Sequence, residues 1–269
     1  MKIALLISGQ PRRYRNGYHE LKKWFLDRYD IDVYLHAWEA KKFEKFNFFN
    51  GGKLEKTHHV NKDLYSNLVD WYQPKDYSFE KHIQFDNANI MGKNNQRLNS
   101  QMGMWMSLKR SWDLMNKSGI HYDLIFKTRY DLLVTHRVAN NCPLLEDLTQ
   151  LDPTKLHYFG YDNSWPHTEY QMNDQIAISG YNIMETYCNL FPQMLNTIFV
   201  DPLYENNYDD VFVNETLIYH YLKTNNISMS PIDSGFNGTR GIDCGLEKTP
   251  EITSQYIKNI QTILSIMLI

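Results

Sequence analysis

The chain has 269 residues, 42% of them hydrophobic, so it can bury a large core as one domain or as one domain with an appendage. The net charge of −3 does not indicate a basic surface of the kind that binds nucleic acid, so we expect no nucleic-acid partner. No stretch approaches the ~20 apolar residues of a membrane span, so no transmembrane segment is predicted. Three widely spaced cysteines (Cys142, Cys188 and Cys244) favour reduced thiols and a cytoplasmic protein.

The opening of the chain predicts a buried strand that ends in a glycine-containing loop. Residues 2–7 are a compact apolar run, and Ser8-Gly9-Gln10-Pro11-Arg12-Arg13 follows directly. A nucleotide can bind such a loop, because Gly9 permits close backbone approach and Arg12 or Arg13 can pair with phosphate. A surface loop with solvated arginines is the alternative. The candidate nucleotide-contacting residues are Ser8, Gly9, Gln10 and Arg12.

The next segments continue a strand and helix alternation. Apolar spacing predicts a helix over residues 18–29, and residues 32–38 form a second apolar strand. His36 falls near the end of that strand, where we interpret it as a satisfied core histidine rather than a ligand.

The periodicity is weak until the middle of the chain. We expect a helix within residues 60–72, a short strand over 77–85 and a loop over 90–99. The clearest helix runs over residues 100–117, where Ser100 can cap it. Its stripe of large apolar residues follows the 3.6 period and indicates core packing (Met104, Trp105, Leu108, Trp112 and Met115).

A second candidate site segment follows that helix. Residues 124–126 read as a buried strand, a polar cluster ends on Asp131, and residues 132–134 lead away. A carboxylate at such a strand end is unfavourable unless it faces a cleft or pairs with a cation. Because open α/β sheets bind ligands at the carboxyl ends of their strands, Asp131 is placed to hold a metal or a charged substrate. A salt contact with Lys127 or Arg129 is the alternative.

The second half contains two further acidic candidates. Residues 156–160 suggest a strand, and Asn173-Asp174-Gln175 leads into another apolar strand that ends at residue 180. Asp174 can face the cleft or simply cap a local element. A helix is predicted over residues 181–195.

The last third begins with the pair Asp209-Asp210. A helix over residues 213–223 and a strand over 227–232 follow, and Glu215 is either functional or a first-turn carboxylate favoured by the helix dipole. The glycine-rich segment 235–245 carries Arg240, and residues 251–269 have the apolar spacing of an amphipathic docking helix.

Several of these segments resemble one enzyme family. Residues 127–132 look like the K-T-D-D-D-V segment of β1,3-galactosyltransferase-like enzymes of the GT-A glycosyltransferase fold. Asp131 matches the last aspartate of that segment, whereas Arg129 and Tyr130 replace the first two. The resemblance implies that Asp131 holds Mn²⁺ or Mg²⁺ against the diphosphate of a UDP-sugar, with Arg129 and Tyr130 also at the nucleotide-sugar site. An arginine can instead neutralise the diphosphate directly.

The remaining similarities concern the opening strand and the other acidic residues. The start resembles the "SGQxR" opening of bacterial and viral glycosyltransferase-like proteins, and residues 32–38 resemble their "DVFIHTW" strand. Residues 173–180 are similar to "NDQFAIGS", which implies that Asp174 lies on the sugar or acceptor side. Asp209-Asp210 looks like an E-D-V segment, which implies that Asp210 is the general base of an inverting transfer. Glu215 is the alternative, through similarity to a "PExxL" helix start.

Together these patterns predict a single α/β domain of Rossmann-like GT-A type, with a mostly parallel sheet flanked by helices. Residues 1–134 would form the nucleotide-sugar half, 135–245 the acceptor half and 246–269 a docking helix. The expected function is metal-assisted transfer of a sugar from a nucleotide-sugar to a glycan or other hydroxyl acceptor. The expected place is the cytoplasm of a bacterium, or of the host for a viral enzyme. A sugar-nucleotide nucleotidyltransferase and a non-catalytic carbohydrate- or nucleotide-binding protein are the alternatives.

Overall fold

The computed structural model describes residues 1–39, 42–47, 53–83, 85, 95–134, 147–159, 174–193, 214–232 and 242–243. The strands are β1 Ile3–Gly9, β2 Ile31–Glu39, β3 Lys42–Asn47, β4 Lys53–His59, β5 Asp76–Lys81, β6 Leu124–Thr128, β7 Leu133–Val134, β8 Leu156–Phe159, β9 Ala177–Ser179, β10 Met229–Ile232 and β11 Ile242–Asp243. The α-helices are α1 Tyr14–Leu21, α2 Leu64–Tyr72, α3 Asn95–Lys117, α4 Tyr181–Cys188 and α5 Asn214–Thr224. A π-helical turn, Lys22–Leu26, continues α1, and a 3₁₀ turn spans Leu148–Gln150.

A seven-stranded sheet forms the centre of the fold, with the strand order β10-β8-β9-β6-β1-β2-β5. β9 runs antiparallel to both β6 and β8, and the other neighbouring pairs are parallel. Helices cover both faces, as a buried parallel sheet requires. The predicted α/β class with a mostly parallel, Rossmann-like sheet is confirmed.

The alternation of side chains along β1 explains the two-sided core. Ile3, Leu5 and Ile7 point to the face that α1 and α2 cover, whereas Ala4 and Leu6 point to the face covered by α3, α4 and α5. Each of these five side chains is at most 1% exposed. Because both faces are buried, β1 is apolar throughout rather than alternating with polar residues.

The apolar stripe of α3 packs beneath the sheet, as predicted. Trp105 and Trp112 are buried there beside Tyr34 of β2 and Ile125 of β6. However, the helix begins at Asn95, so the loop expected over residues 90–99 is wrong for its second half. Ser100 lies inside the helix rather than at its cap, because tertiary packing extends the helix beyond the clear apolar stripe.

The first crossover helix also begins earlier than its pattern suggested. α1 starts at Tyr14, and its buried face consists of Tyr14, Gly17 and Leu21 at helical spacing. The π turn then carries Phe25 into the core, where its ring meets that of Phe126 edge to face at 4.8 Å between centroids. The expected helix over residues 18–29 is thus shifted towards the first loop, so that α1 begins directly after it.

Some expected segments cannot be compared with the structure. The docking helix over residues 246–269 and most of the segment 235–245 lie outside the described residues. In the described part of the chain, no helix has the length and apolar character needed to cross a bilayer.

Candidate functional site

The strand order reverses at β1, which creates a natural ligand crevice. From β1 the chain crosses to β2 on one side, and β6 later lies on the other side of β1. Ile7 of β1 is level with Thr128 of β6, so the loops after both strands leave the same edge side by side. Ligands in open α/β sheets bind outside the carboxyl ends of the strands at such a switch point. The loops of residues 8–13 and 129–131 therefore lie side by side.

The loop after β1 is held in a conformation that requires glycine. Gly9 has φ 109°, in the region that other residues rarely adopt. Its N–H donates to Ser107 Oγ of α3 at 2.7 Å, and the Arg12 N–H donates to the carbonyl of Gln10 at 2.7 Å. Arg13 has φ 49° where the loop enters α1. The loop is therefore held by a hydrogen bond to α3 as well as by one within the loop.

Ser107 also connects this loop to the neighbouring strand. Its Oγ lies 2.6 Å from Nδ1 of His36, which is fully buried in β2. His36 Nε2 faces the Glu80 carboxylate at 3.6 Å. Burial lowers the pKa of His36 to about 4, although Glu80 opposes this effect. The histidine is therefore a neutral core residue that supports the loop through Ser107.

The loop after β6 carries a two-point ion pair. Arg129 Nε donates to Asp131 Oδ1 at 3.0 Å, and Nη2 donates to Oδ2 at 2.9 Å. The Asp131 side chain is 7% exposed and that of Arg129 is 24% exposed, so the guanidinium is the more accessible partner. Of the two cations considered as alternative partners for Asp131, Arg129 makes the contact, in the planar fork typical of Arg–carboxylate pairs.

Tyr130, which lies between these two residues, is a core residue. It is fully buried, and its hydroxyl donates to the backbone carbonyl of His36 at 3.1 Å. A Cβ atom on Gly17 of α1 would lie 1.8 Å from the Tyr130 carbonyl oxygen, so only glycine fits there. The expectation that Tyr130 contacts the donor is not met by this arrangement. Tyr130 instead anchors the loop that carries Arg129 and Asp131.

Asp174 reaches the same edge of the sheet through a buried lysine. β9 runs antiparallel to β6 with Ala177 level with Lys127, so Asp174 lies towards the carboxyl end of β6. Lys127 is 1% exposed, and its Nζ donates to the backbone carbonyl of Asp174. The Asp174 side chain is half-buried, and its negative charge adds to the effect of burial in raising the pKa of Tyr187 well above its usual value. Asp174 is therefore positioned at the candidate site.

The other acidic candidates are less defined. Asp210 lies outside the described residues, and Glu215 is the second residue of α5. Two residues of the glycine-rich segment are described, Ile242 and Asp243. They pair antiparallel with Val134 and Leu133, directly after the Asp131 loop.

Asp131 is the residue that the resemblance implied for a divalent metal ion, and the structure shows which side chain it contacts. Both carboxylate oxygens of Asp131 accept hydrogen bonds from Arg129. Across the described ranges, no three His, Cys, Asp or Glu side chains come together as a metal-binding group. Arg129, the side chain that replaces the first aspartate of the motif, thus contacts both oxygens of Asp131 in this structure.

Three residues that support the site were not predicted from the sequence. Ser107 is a buried hydroxyl beside the apolar stripe of α3, Gly17 sits on the buried face of α1, and Lys127 is a lysine inside an apolar strand. A polar or missing side chain on an otherwise apolar face is the signal that could have revealed them. Their partners lie in distant segments, so the signal alone could not show what they contact.

Comparisons with known proteins yield structural neighbours only. No family model matches the chain, and no curated protein matches it. Similar solved structures include the apo form of the glycosyltransferase GlyE from Streptococcus pneumoniae, with a TM-score of 0.40, 11% identity and 85% of this chain covered. This chain spans less than half of that protein, 44% of its length.

Two further neighbours have similar scores. A glycosyltransferase involved in glycosylation of the major capsid of PBCV-1 has a TM-score of 0.38 and 10% identity, with 87% of this chain and 82% of the other covered. A nucleoside-diphosphate-sugar pyrophosphorylase from Vibrio cholerae has a TM-score of 0.38 and 9% identity, with 96% and 100% covered. At such identities, the function has to be inferred from the chemistry of the site.

Proposed function

We propose that the protein transfers a sugar from a nucleotide-sugar donor, a UDP-sugar, to a hydroxyl of a glycan or another acceptor. One observation carries this proposal. The Gly9 loop and the Arg129–Asp131 loop leave adjacent parallel strands at the point where the strand order reverses. An ordered backbone loop and a partly exposed guanidinium thus flank one crevice, which suits a nucleoside joined to a diphosphate.

The charges of the crevice support an anionic donor. Arg12 is half-buried, Arg13 is exposed, and both lie at the start of α1. The first turn of α1 contains no acidic side chain, and its cap makes no side-chain hydrogen bond. Helix starts of this kind favour phosphate because their N–H groups and dipole point at the anion. We therefore assign donor binding to residues 8–13 together with Arg129.

The transfer itself needs a base and a stabilised leaving group. A carboxylate, Asp174 or Asp210, would take the proton from the acceptor hydroxyl. The acceptor oxygen would then bond to the anomeric carbon as the bond from that carbon to the diphosphate oxygen breaks, releasing UDP. Arg129 would stabilise the negative charge that develops on the diphosphate. Direct attack of this kind inverts the anomeric centre.

Calorimetric titration with UDP, GDP and CDP tests the donor assignment. We expect UDP to bind, and Arg12→Gln to weaken binding. Arg28→Gln is the matched control, because Arg28 is exposed just before β2 begins, at the opposite edge of the sheet. Absence of binding for all three nucleotides would contradict the nucleotide-sugar assignment.

Product analysis tests the reaction class. A transferase should release UDP from a UDP-sugar, and slow hydrolysis without acceptor would already separate an enzyme from a binding protein. Release of pyrophosphate from UTP and a sugar phosphate would instead identify the nucleotidyltransferase alternative. Participation of Mn²⁺ or Mg²⁺ stays a prediction from the resemblance, and the same assays in EDTA test it.

A further inference from the structure

Two consecutive hydrogen bonds link Gly9 to the interior of the protein, one to Ser107 of α3 and the next from Ser107 to His36 of β2. We propose that Ser107 and His36 are positioning residues for the donor, because together they hold the backbone of Gly9 in the conformation that the nucleotide meets. This inference rests on the proposed function and names the side chains on which its donor loop depends.

The direction of each hydrogen bond in this chain is defined. A backbone N–H can only donate, so Ser107 Oγ accepts the 2.7 Å bond from Gly9. Among the described residues, the other contact of this hydroxyl is Nδ1 of His36 at 2.6 Å, and the serine proton therefore points to that nitrogen. Nδ1 can accept it only when the imidazole is neutral and carries its own proton on Nε2.

The surroundings of His36 favour this tautomer. Nε2 faces the Glu80 carboxylate of β5 at 3.6 Å, an electrostatic contact that suits an N–H on that nitrogen. The Trp38 ring packs edge to face against the imidazole, with 4.8 Å between centroids. His36 and Ser107 are both fully buried, so water does not compete for their hydrogen bond. Ser107 is therefore held as the acceptor for Gly9 before the donor arrives.

Gly9 itself is fixed on one side and open on another. Its N–H is directed to α3, and its φ of 109° is a conformation that glycine tolerates. A Cβ added to Gly9 would meet no atom of the described residues within 4 Å, so a ligand can approach the backbone closely from that side. The residue that offers its backbone to the donor thus depends on Ser107 for its orientation.

The expected consequence of losing Ser107 is a less ordered donor loop. Without the hydroxyl, the Gly9 N–H loses the acceptor that ties it to α3. The donor would then have to order the loop on binding, and this ordering reduces the affinity. The effect of Ser107 on the donor is indirect, so Ser107 needs no contact with the donor itself.

Calorimetric titration of the full chain with UDP tests the inference in Ser107→Ala. We expect UDP binding to weaken by about 5- to 10-fold, the size of one net hydrogen bond. Ser107→Cys keeps the size of the side chain but forms weaker hydrogen bonds, so its affinity should lie between those of Ser107→Ala and the unchanged protein. Circular dichroism at the titration temperature checks that each variant is folded.

Two controls separate positioning from a general loss of stability. Tyr34→Phe also removes a buried hydroxyl contact, the 2.6 Å bond to Tyr122, but Tyr122 precedes β6 and lies away from the donor loops. Ser111→Ala removes a buried serine hydroxyl of α3 that bonds to the Leu108 carbonyl within the helix. Both controls should bind UDP within about twofold of the unchanged protein, even where thermal unfolding shows that they are less stable.

A double-mutant cycle tests the role of His36. His36→Phe keeps a ring in the core but removes the acceptor of the serine proton, so it should also weaken UDP binding. If His36 acts through Ser107, His36→Phe should cause no further loss of affinity in the Ser107→Ala background. The same cycle can be measured with Ser107→Cys if the alanine variant does not fold.

Different failures point to different errors. UDP affinity in the folded Ser107 variants equal to that of Tyr34→Phe and of the unchanged protein would overturn the positioning role, while leaving the nucleotide assignment intact. Losses of affinity that multiply in the double variant would overturn the link through His36. Absence of binding for UDP, GDP and CDP in the unchanged protein would overturn the proposed function and this inference together.

Discussion

Gly17 offers a direct test of how the Asp131 loop is positioned. In Gly17→Ala, the added Cβ would lie 1.8 Å from the Tyr130 carbonyl oxygen and 2.8 Å from its carbonyl carbon. Both are backbone atoms, and the Tyr130 side chain is buried and hydrogen-bonded to the His36 carbonyl. The clash therefore cannot be relieved by a side-chain rotation, and either α1 or the loop of residues 129–131 has to move.

The expected magnitude combines two opposing effects. Alanine in a helix is favoured over glycine by up to about 1 kcal/mol. Forcing an extra carbon into a well-packed contact destabilises by about 1–3 kcal/mol, and a contact this short against backbone belongs at the upper end or beyond. We expect a net loss of about 2–3 kcal/mol, or roughly 2–4 °C in Tm for each kcal/mol in a chain of this size.

Thermal and urea unfolding measure this loss, with Gly103→Ala as the matched control. Gly103 also lies in a helix, but an added Cβ there would meet the ring end of His82 at 2.7 Å, which can rotate away. Gly103→Ala should thus be near neutral or slightly stabilising, while Gly17→Ala is destabilising. Gly17→Ala should also weaken UDP binding, because the shifted loop carries Arg129.

Equal stability of the two alanine variants would refute this reasoning. It would mean that α1 and the Tyr130 carbonyl are farther apart in solution than the structure indicates. Loss of stability with unchanged UDP affinity would instead show that α1 moves and the loop of residues 129–131 stays in place.

Three further expectations concern catalysis, pH and the Ser107 contact. Asp210→Asn should leave UDP binding nearly intact and lower transfer by about 10²-fold or more in a rate assay; unchanged turnover would shift the base to Asp174. Burial lowers the pKa of His36 in the folded protein from its usual 6.5 to about 4. As the pH falls, His36 is therefore protonated in the unfolded state before it is protonated in the folded state. The free energy of unfolding should thus decrease by about 3 kcal/mol between pH 7 and pH 4. Urea unfolding across that range should show a shallower pH dependence in His36→Gln, and an unchanged slope would contradict this origin. Ser107→Ala should lower the free energy of unfolding by about 1–3 kcal/mol, because the Gly9 N–H and His36 Nδ1 both lose their hydrogen-bond partner. Ser111→Ala removes only a hydrogen bond within α3, so its loss in the same assay should be smaller.

Local sequence patterns were sufficient for the main elements of the fold. The apolar runs of β1, β2 and β6 predicted buried strands because a parallel strand covered on both faces has to be apolar throughout. The Trp and Met stripe of α3 predicted a core helix because its spacing matches the helical period. The general rule on strand ends then predicts that Gly9 and Asp131 lie at one edge of the sheet.

The tertiary structure decided the partners of those residues. The Gly9 N–H donates to Ser107, 98 residues away, and the Tyr130 hydroxyl donates to the His36 carbonyl, 94 residues away. No local pattern encodes such pairs, because they depend on the order in which strands assemble and on which helix covers each face. The partner of Arg129 was also not determined by the sequence, which allowed either Asp131 or a ligand. In the structure, the turn after β6 places Arg129 in two-point contact with Asp131. Contacts between distant segments arise only when the whole core closes, and the chemistry of this site depends on them.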